Sequence, residues 1–276
     1  MALEAEKRAK EAEEHLAAGR TEDAIAACRE AIAIQPDCLP AHVCMAHAKL
    51  PGDDFLAHLA RFHETLRPRV YLEIGVDVGR TLSLAKPPTR AIGVDPGARG
   101  GRVFAATTML FTLESNVFFQ SGEAARALAG EAVDLAFVDG LHLFEQALRD
   151  FQNIERCAKP GTVALFHDCL PLTAETATRC RATSFWTGDV WKIAPILREL
   201  RPDLTIFLVP TYPTGLLVVT GLDPRSRVLE ERMDALISEW TPKQWSEDEA
   251  SADPPIPLVL NDWADIRARA RLAPPA

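Results

Sequence analysis

Short apolar runs alternate with segments of helical character from Arg67 to Gly221, and this alternation constrains the fold more than any other feature of the sequence. The runs that we interpret as strands are 70–75 (VYLEIG), 91–95 (AIGVD), 117–121 (VFFQS), 134–139 (DLAFVD) and 162–168 (TVALFHD). Helical patterns such as EQALRDFQNIERCA separate the later runs. Strands that alternate with helices pair in parallel, so the pattern predicts an α/β fold with a doubly wound, mostly parallel sheet.

The last two apolar runs break this pattern. LTIFLVP (204–210) and GLLVVTG (215–221) are separated only by TYPT. So short a link cannot hold a crossover helix, and the two strands are expected to form an antiparallel hairpin. Together with the earlier runs they predict a seven-stranded sheet whose last strand is antiparallel.

Residues 1–52 have a different, helical character. A break near Gly19 is followed by Thr21 and two acids, a typical helix start, and the next helical pattern ends before Pro36. Ala24, Ala31 and Pro36 resemble the small residues and the closing proline of a tetratricopeptide repeat, although a plain helical hairpin is the alternative. One repeat is too short to stand alone, so its apolar face is expected to pack on the main domain, on a second copy or on a partner.

The composition excludes several classes of protein. A net charge of −9 argues against a partner of nucleic acid. The six cysteines are scattered without a CxxC pair, which is typical of a reduced cytosolic protein. The acidic, helical start is unlike a secretory signal, and no apolar run is long enough for a bilayer. We therefore expect a cytoplasmic protein that binds neither nucleic acid nor membrane.

The turn after the first predicted strand suggests a ligand site, because ligands of open parallel sheets bind beyond the carboxyl ends of the strands. Glu73 is followed by Gly75 and Gly79, and two glycines four residues apart let the backbone approach a ligand closely. The turn is not a dinucleotide fingerprint, since Asp77 and Arg80 stand where that motif needs glycine. An acid in the turn suits a cationic amino-acid group better than a pyrophosphate.

The ends of the next two predicted strands are also polar. Asp95 lies about twenty residues beyond Glu73, where an acid commonly holds ribose hydroxyls. Gly122 and Glu123 follow the predicted third strand and are candidates for contact with an adenine edge. Each is by itself a common turn residue or helix cap, but acids at consecutive strand ends favour a shared ligand site.

This arrangement resembles the class I S-adenosylmethionine-dependent methyltransferases over about residues 67–223. The first motif of that family, an acid two residues before a glycine-rich turn, matches Glu73, Gly75 and Gly79, although Asp77 replaces its middle glycine. The resemblance implies a bound S-adenosylmethionine. The residues that it assigns to the cofactor are Glu73, Gly75, Asp77, Gly79, Asp95, Gly122, Glu123 and Asp139.

VDGLH at the end of the fourth strand and FHDCLP at the end of the fifth resemble the branch that contains small-molecule O-methyltransferases and cephalosporin-hydroxylase-like proteins. That resemblance implies a divalent metal, magnesium, manganese or a similar ion, held by Asp139, His167 and Asp168. The alternative catalyst is a histidine base, His142 or His167, that takes the proton of the acceptor directly. A helix-start cap and a sheet-edge histidine are the structural interpretations of these two residues.

The predicted function is methyl transfer to an oxygen of a small polar metabolite, sugar or natural product. The alternatives are another metal-dependent enzyme on the same sheet, or a non-catalytic scaffold that uses its helical N-terminus. The N-terminal unit is expected to serve a homodimer or docking, and residues 224–276 form a C-terminal helical extension. Residues 185–192 are either a cover over the acceptor or a loop anchored by core aromatics, with Asp189 and Lys192 paired at the surface.

Overall fold

A single sheet organises the chain, for which a computed structural model describes residues 1–99, 101–247 and 256–273. Its strands are β1 (Val70–Ile74), β2 (Arg90–Val94), β3 (Thr107–Phe111), β4 (Val133–Val138), β5 (Ala158–His167), β6 (Thr205–Val209) and β7 (Leu216–Thr220). The helices are α1 (Ala2–Ala17), α2 (Thr21–Ile34), α3 (Leu39–Lys49), α4 (Phe55–Leu66), α5 (Ser115–Gln120), α6 (Glu123–Leu128), α7 (Phe144–Arg156), α8 (Ile193–Leu200), α9 (Val228–Trp240) and α10 (Trp263–Arg269).

The strand order of the sheet is β3-β2-β1-β4-β5-β7-β6. The first five strands pair in parallel, and β7 lies between β5 and β6 and is antiparallel to both. The predicted doubly wound, seven-stranded sheet with an antiparallel last strand is therefore confirmed. The strand order reverses between β1 and β4, and the crevice at that point is where sheets of this kind bind ligands.

The two faces of the sheet carry separate apolar cores. Alternate residues of a strand face opposite sides, so Leu72 and Ile74 of β1 pack toward α5–α9, and Tyr71 packs toward α4 and α10. Strands buried on both faces need nearly continuous apolar runs, which is why the sequence identified β1, β4 and β7 so clearly.

The predicted strand at 117–121 is wrong. These residues belong to α5, and the third strand is β3 at Thr107–Phe111. β3 is an edge strand whose residues are half-buried or exposed, so it lacks the apolar run of a central strand. Phe118 in α5 is buried against the ring of Phe111, 4.9 Å between centroids, and its apolar neighbours gave the segment the appearance of a strand.

The first three helices pack around small side chains, among them Ala5, Ala9 and Ala31. Leu172 belongs to the same cluster, and Phe185 and Tyr212 pack against it. The apolar face of the N-terminal unit therefore packs on loops of the same chain. The resemblance to a tetratricopeptide repeat remains a prediction.

Residues 257–259 of the C-terminal segment lie beside β6 at the edge of the sheet. Leu208 N donates to Pro257 O (3.0 Å) and Val259 N donates to Leu208 O (3.1 Å), so this segment covers part of the edge of β6. Residues 248–255 and 274–276 of the predicted C-terminal extension lie outside the described residues. Among the described helices, none has the length and apolar character that crossing a bilayer requires.

Glu73 is buried within β1 on the face opposite to α7. Its carboxyl group accepts hydrogen bonds from the Tyr71 hydroxyl and from Thr81 Oγ1 (2.7 Å), and its side chain is not exposed to solvent. Burial raises the pKa of Glu73 to about 8. The Glu73 carboxyl is therefore protonated in the folded protein at neutral pH, when a solvated glutamate would be ionised.

We expect Glu73→Gln to flatten the pH dependence of the unfolding free energy. The pKa of Glu73 is higher in the folded than in the unfolded protein. Its contribution to the unfolding free energy is therefore fully present below the unfolded pKa and is lost as pH rises through about 8. The loss amounts to at most about 1.4 kcal/mol per pH unit between the two values. Chemical denaturation across this interval measures it, with Glu14→Gln on the exposed face of α1 as control. Parallel curves for wild type and Glu73→Gln would contradict the burial argument.

Candidate active site

A cavity of about 400 Å³ lies at the carboxyl ends of β1, β2 and β4. Its walls come from the turns that follow these strands, from the start of α5 and from α7. The lining residues are Ile74, Gly75, Asp77, Val94, Asp95, Pro96, Glu114, Ser115, Asn116, Asp139, Gly140, Leu141, Gln146 and Asp150. The cavity is large enough for a small-molecule ligand.

Gly75 brings the turn after β1 against the end of β4. Its φ is +87°, and a Cβ at this position would lie 1.9 Å from the carbonyl oxygen of Asp139. Asp139 N also donates to Ile74 O (2.8 Å). Only glycine combines this backbone conformation with so close an approach, so Gly75 is needed for the contact between the two turns, and its predicted contact with a cofactor stays a prediction.

Asp95 connects the end of β2 to the same turn. Its Oδ2 accepts hydrogen bonds from Val76 N (2.8 Å) and Asp77 N (2.7 Å), and its Oδ1 accepts one from Gly97 N (2.7 Å). A carboxylate has about four acceptor positions. Asp95 therefore holds the turn and retains capacity to accept a bond from a ligand in the cavity that it lines.

Asp77 adopts a left-handed conformation with φ of +47°, at the position where the family motif has glycine. Its side chain forms an ion pair with Arg99. Asp77 lines the cavity, whereas Gly79 is placed behind the turn, where a Cβ would lie 2.9 Å from the Phe104 ring. The turn thus keeps its shape without the middle glycine, since an aspartate tolerates left-handed backbone better than most residues.

Four of the predicted cofactor residues do not line the cavity: Gly79, which lies behind the turn, and Glu73, Gly122 and Glu123. Glu73 is buried on the opposite face of the sheet, as described above. Gly122 and Glu123 lie at the start of α6, where Glu123 forms an ion pair with Arg126. The assignment of Gly122 and Glu123 followed from the misplaced third strand; the residues that follow the actual β3 into the cavity are Glu114, Ser115 and Asn116.

A polar network that the sequence analysis missed forms the wall opposite the β1 turn. Gln146 Nε2, which has two N–H groups to donate, lies within hydrogen-bond distance of three acceptors: Ser115 Oγ (3.0 Å), Asn116 Oδ1 (3.2 Å) and Asp150 Oδ1 (3.0 Å). Asn116 Nδ2 donates to Gln146 Oε1 (3.0 Å). Burial raises the pKa of Asp150 to about 6. A correct placement of β3 would have identified Ser115 and Asn116, but nothing in the sequence pairs them with Gln146.

Two acids and two histidines meet where β4 and β5 end. His142 Nε2 lies 3.4 Å from Asp139 Oδ1, and its Nδ1 lies 3.2 Å from Asp168 Oδ2. His167 Nδ1 lies 3.2 Å from Asp168 Oδ1 and 3.5 Å from Asp139 Oδ1. Thr214 Oγ1 donates to Asp168, whose φ is +61°. All four predicted residues of this cluster are therefore brought together.

The cluster balances its charges internally. Burial lowers the pKa of each imidazole, but the carboxylates of Asp168 and Asp139 outweigh burial and raise the pKa of His142 to about 9 and of His167 to about 10. Burial raises the pKa of Asp139, and the two imidazoles outweigh that effect and lower it. Two cations facing two anions avoid the cost of a buried unpaired charge.

The cluster also fits a divalent cation. One donor atom each from Asp139, His142 and Asp168 lie within 4.8 Å of one another, beside a small cavity of about 10 Å³, the space of a single water or ion. Two carboxylates and one imidazole suit manganese, iron or zinc, and ions bind such sites by displacing protons. The imidazole in this set is His142, and a metal held by Asp139, His167 and Asp168, as the resemblance implies, stays a prediction.

His167 is placed deeper than His142. Its ring packs at 4.2 Å from the ring of Phe55, and neither of its ring nitrogens has a hydrogen-bond partner of good geometry among the described residues.

The predicted pair of Asp189 and Lys192 is present (2.9 Å), but both side chains are buried rather than at the surface.

Part of the chain matches a known domain model. Residues 72–169 match the model of a methyltransferase domain. The matched range runs from β1 to the residue after Asp168 and contains every residue that lines the cavity. No curated protein sequence matches the chain.

Several solved structures are similar to parts of the chain. An O-methyltransferase from Bacillus cereus in complex with S-adenosylhomocysteine is 14% identical, with 64% of this chain and 86% of that chain covered and a TM-score of 0.44. The O-methyltransferase TomG from Streptomyces achromogenes, in complex with S-adenosylmethionine, is 15% identical (60% and 78% covered, TM-score 0.45). A methyltransferase from Podospora anserina bound to S-adenosylhomocysteine is 16% identical (68% and 89% covered, TM-score 0.44).

We expect Gly75→Ala to destabilise the protein more than Gly130→Ala. Both glycines have φ near +80°, so both substitutions carry the cost of left-handed alanine, about 1–2 kcal/mol. A Cβ at Gly130 meets nothing within 4 Å, whereas a Cβ at Gly75 meets the Asp139 carbonyl. Overpacking adds about 1–3 kcal/mol. Urea denaturation of both variants measures the difference, and equal losses of stability would show that the β1 turn does not press on β4.

Proposed function

We propose that the protein is an S-adenosylmethionine-dependent methyltransferase. The observation that carries the proposal is the cavity at the point where the strand order reverses, lined by Gly75, Asp95 and Asp139 from three successive strand ends. The match of residues 72–169 to a methyltransferase domain supports it. Acidic walls favour a ligand that carries a positive charge, such as a sulfonium.

In the proposed complex the cofactor spans the cavity from Asp139 to Asp150. The glycine turn and Asp139 receive the methionine end, since a close backbone and a carboxylate suit an ammonium and a sulfonium. Asp95 accepts hydrogen bonds from ribose hydroxyls. The network of Ser115, Asn116, Gln146 and Asp150 supplies the donors and acceptors that an adenine edge needs.

The proposed acceptor is an oxygen of a small polar metabolite, sugar or natural product. The sulfonium is already an activated donor, so the protein must align the acceptor, which is worth up to about 7–11 kcal/mol of the barrier, and dispose of its proton. Asp139, His142 and Asp168 lie beside the cavity that would hold the donor. We propose that His142 accepts that proton in its neutral form, which predominates only above its raised pKa of about 9.

A divalent ion is the alternative to His142 as the group that deals with the acceptor proton. Asp139, His142 and Asp168 would hold it, and when bound it would lower the pKa of an acceptor hydroxyl. The same donor set favours one alternative function, a different metal-dependent enzyme on this sheet, because an Asp-His-Asp set also suits iron or zinc. Binding of S-adenosylhomocysteine separates the two functions.

We expect isothermal titration to detect S-adenosylhomocysteine binding to the wild type, and Asp95→Ala to weaken it by about 1–3 kcal/mol, the usual range for a lost buried acceptor. Glu123→Ala is the matched control, since Glu123 lies outside the cavity and should leave the Kd unchanged. An unchanged Kd for Asp95→Ala would remove Asp95 from the ribose site. Absence of binding to the wild type would overturn the proposed function.

We expect Mn²⁺ to bind the wild type and to bind His142→Gln about 10–100-fold more weakly or not at all, with a smaller effect of His167→Gln. The reason is that the His142 donor atom, not that of His167, belongs to the compact set with Asp139 and Asp168. Titration followed by electron paramagnetic resonance measures free Mn²⁺ directly. A larger effect of His167→Gln would restore the set chosen from the sequence, and no binding to the wild type would leave His142 as a base without a metal.

A further inference from the structure

His142 has a second set of contacts, from a segment that the proposed function has not used. Its ring stacks on the indole of Trp186, with centroids 5.1 Å apart and an interplanar angle of 13°. His142 Nδ1 also lies 3.2 Å from the Trp186 carbonyl oxygen, within hydrogen-bond distance. Trp186 therefore contacts the His142 ring in two ways. Its indole covers one face of the ring and its carbonyl oxygen lies at Nδ1, whereas Asp139 lies at Nε2.

The residues after Trp186 hold the backbone of the same histidine. Asp189 N donates to His142 O (3.2 Å), and Asp189 Oδ1 accepts a hydrogen bond from Phe144 N (3.0 Å) at the start of α7. A Cβ at Gly188, whose φ is +61°, would lie 1.9 Å from His142 O. Residues 186–189, which we call the clamp segment, thus fix both the main chain and the ring of His142.

The clamp segment is itself firmly seated. Trp186 Nε1 donates to Thr178 O (2.6 Å), and Thr187 N donates to Thr176 O (2.9 Å). The buried carboxylate of Asp189 accepts hydrogen bonds from Arg179 (2.7 Å) and Lys192 (2.9 Å). Buried, fully paired groups of this kind are costly to disturb, so the segment has a defined position.

The N-terminal helices contact the residues that precede the clamp segment. The ring of Phe185 stacks on His42 of α3, with centroids 5.6 Å apart, and packs against the core of the N-terminal unit. Ser184 Oγ donates to Asp37 Oδ2 (3.1 Å) in the loop between α2 and α3. The N-terminal unit therefore holds the two residues that directly precede the clamp segment.

We propose that Trp186 is a positioning residue that orients the His142 imidazole toward Asp139 and Asp168, and that the N-terminal helices hold Trp186 through Phe185. A histidine ring turns about two side-chain torsions, and which nitrogen faces which partner depends on its hydrogen bonds. The stack and the backbone carbonyl together fix both the plane and the direction of the ring. The importance of this orientation for methyl transfer rests on the proposed function; the orientation itself does not.

Nuclear magnetic resonance of histidine-labelled protein tests the proposal without an acceptor. The ring proton signals of His142, assigned by their loss in His142→Gln, are expected to be shifted by the ring current of the stacked indole. Trp186→Leu removes that shift and broadens the signals as the ring becomes mobile, whereas Trp186→Phe keeps a stacked ring and partly restores them. Phe185→Ala, which leaves Trp186 in place, is expected to move the signals in the same direction as Trp186→Leu.

Trp263→Leu is the matched control. Trp263 in α10 packs on His58, with ring centroids 6.4 Å apart, so its loss should shift the His58 signals and leave those of His142 unchanged. His142 signals that stay unchanged and sharp in Trp186→Leu would overturn the positioning role. His142 signals that stay unchanged in Phe185→Ala would overturn the part assigned to the N-terminal helices.

Titration of the same variants with S-adenosylhomocysteine separates this proposal from the proposed function. Neither Trp186 nor Phe185 lines the cofactor cavity, so both variants should bind with the wild-type Kd. An unchanged Kd also shows that the variants are folded. A Kd weakened in both Trp186→Phe and Trp186→Leu would instead indicate that Trp186 has a general structural role, and would overturn its role in positioning His142. If the wild type does not bind S-adenosylhomocysteine, the proposed function is overturned. The spectra then still test the orientation of His142.

Discussion

The approach of β1 to β4 at their carboxyl ends is the constraint on which the site depends. Gly75 lies against the Asp139 carbonyl, and Asp139 N donates to Ile74 O, so the two turns share one narrow contact. Asp95 extends that contact to β2 through backbone amides of the β1 turn. A cavity with three polar walls exists because parallel strands end at one edge of the sheet and their turns diverge there.

The distribution of charge follows from that geometry. Carboxylates at successive strand ends would repel one another in a dry crevice, and the structure offsets the repulsion in different ways. Asp95 is bound by backbone amides, and Asp139 and Asp168 are faced by two imidazoles. The side of the cavity at the β1 and β2 turns is left acidic, while the acids on the β5 side are paired with imidazoles. This asymmetry suits a cationic donor on one side and an acceptor that must lose a proton on the other.

The N-terminal helices are part of the same construction rather than a separate module. Their small-residue core continues into Leu172 of the loop after β5, and His47 stacks on Tyr212 at 4.2 Å in the link between β6 and β7. Contacts of this kind hold the loops above the ends of β5 and β7. The helices thus extend the rigidity of the sheet to loops that would otherwise be mobile.

The sequence by itself determined six of the seven strands and some of the residues that line the cavity. The central strands were predictable because burial on both faces requires continuous apolar runs, and Gly75, Asp95 and Asp139 were predictable because each ends such a run. The edge strand β3 was not, because an exposed strand carries no such pattern. That error placed Gly122 and Glu123 at the expected end of the third strand, where the structure has Glu114, Ser115 and Asn116 in the cavity wall.

Only the tertiary structure decided which side chains share a space. Gln146 meets Ser115 across some thirty residues of chain, and the donor atoms of Asp139, His142 and Asp168 come together from the ends of two strands. Local patterns record whether a residue is buried or ends a strand, because neighbours along the chain fix both properties. The partner of a side chain depends on which distant turn packs against it, and the sequence carries no local trace of that choice.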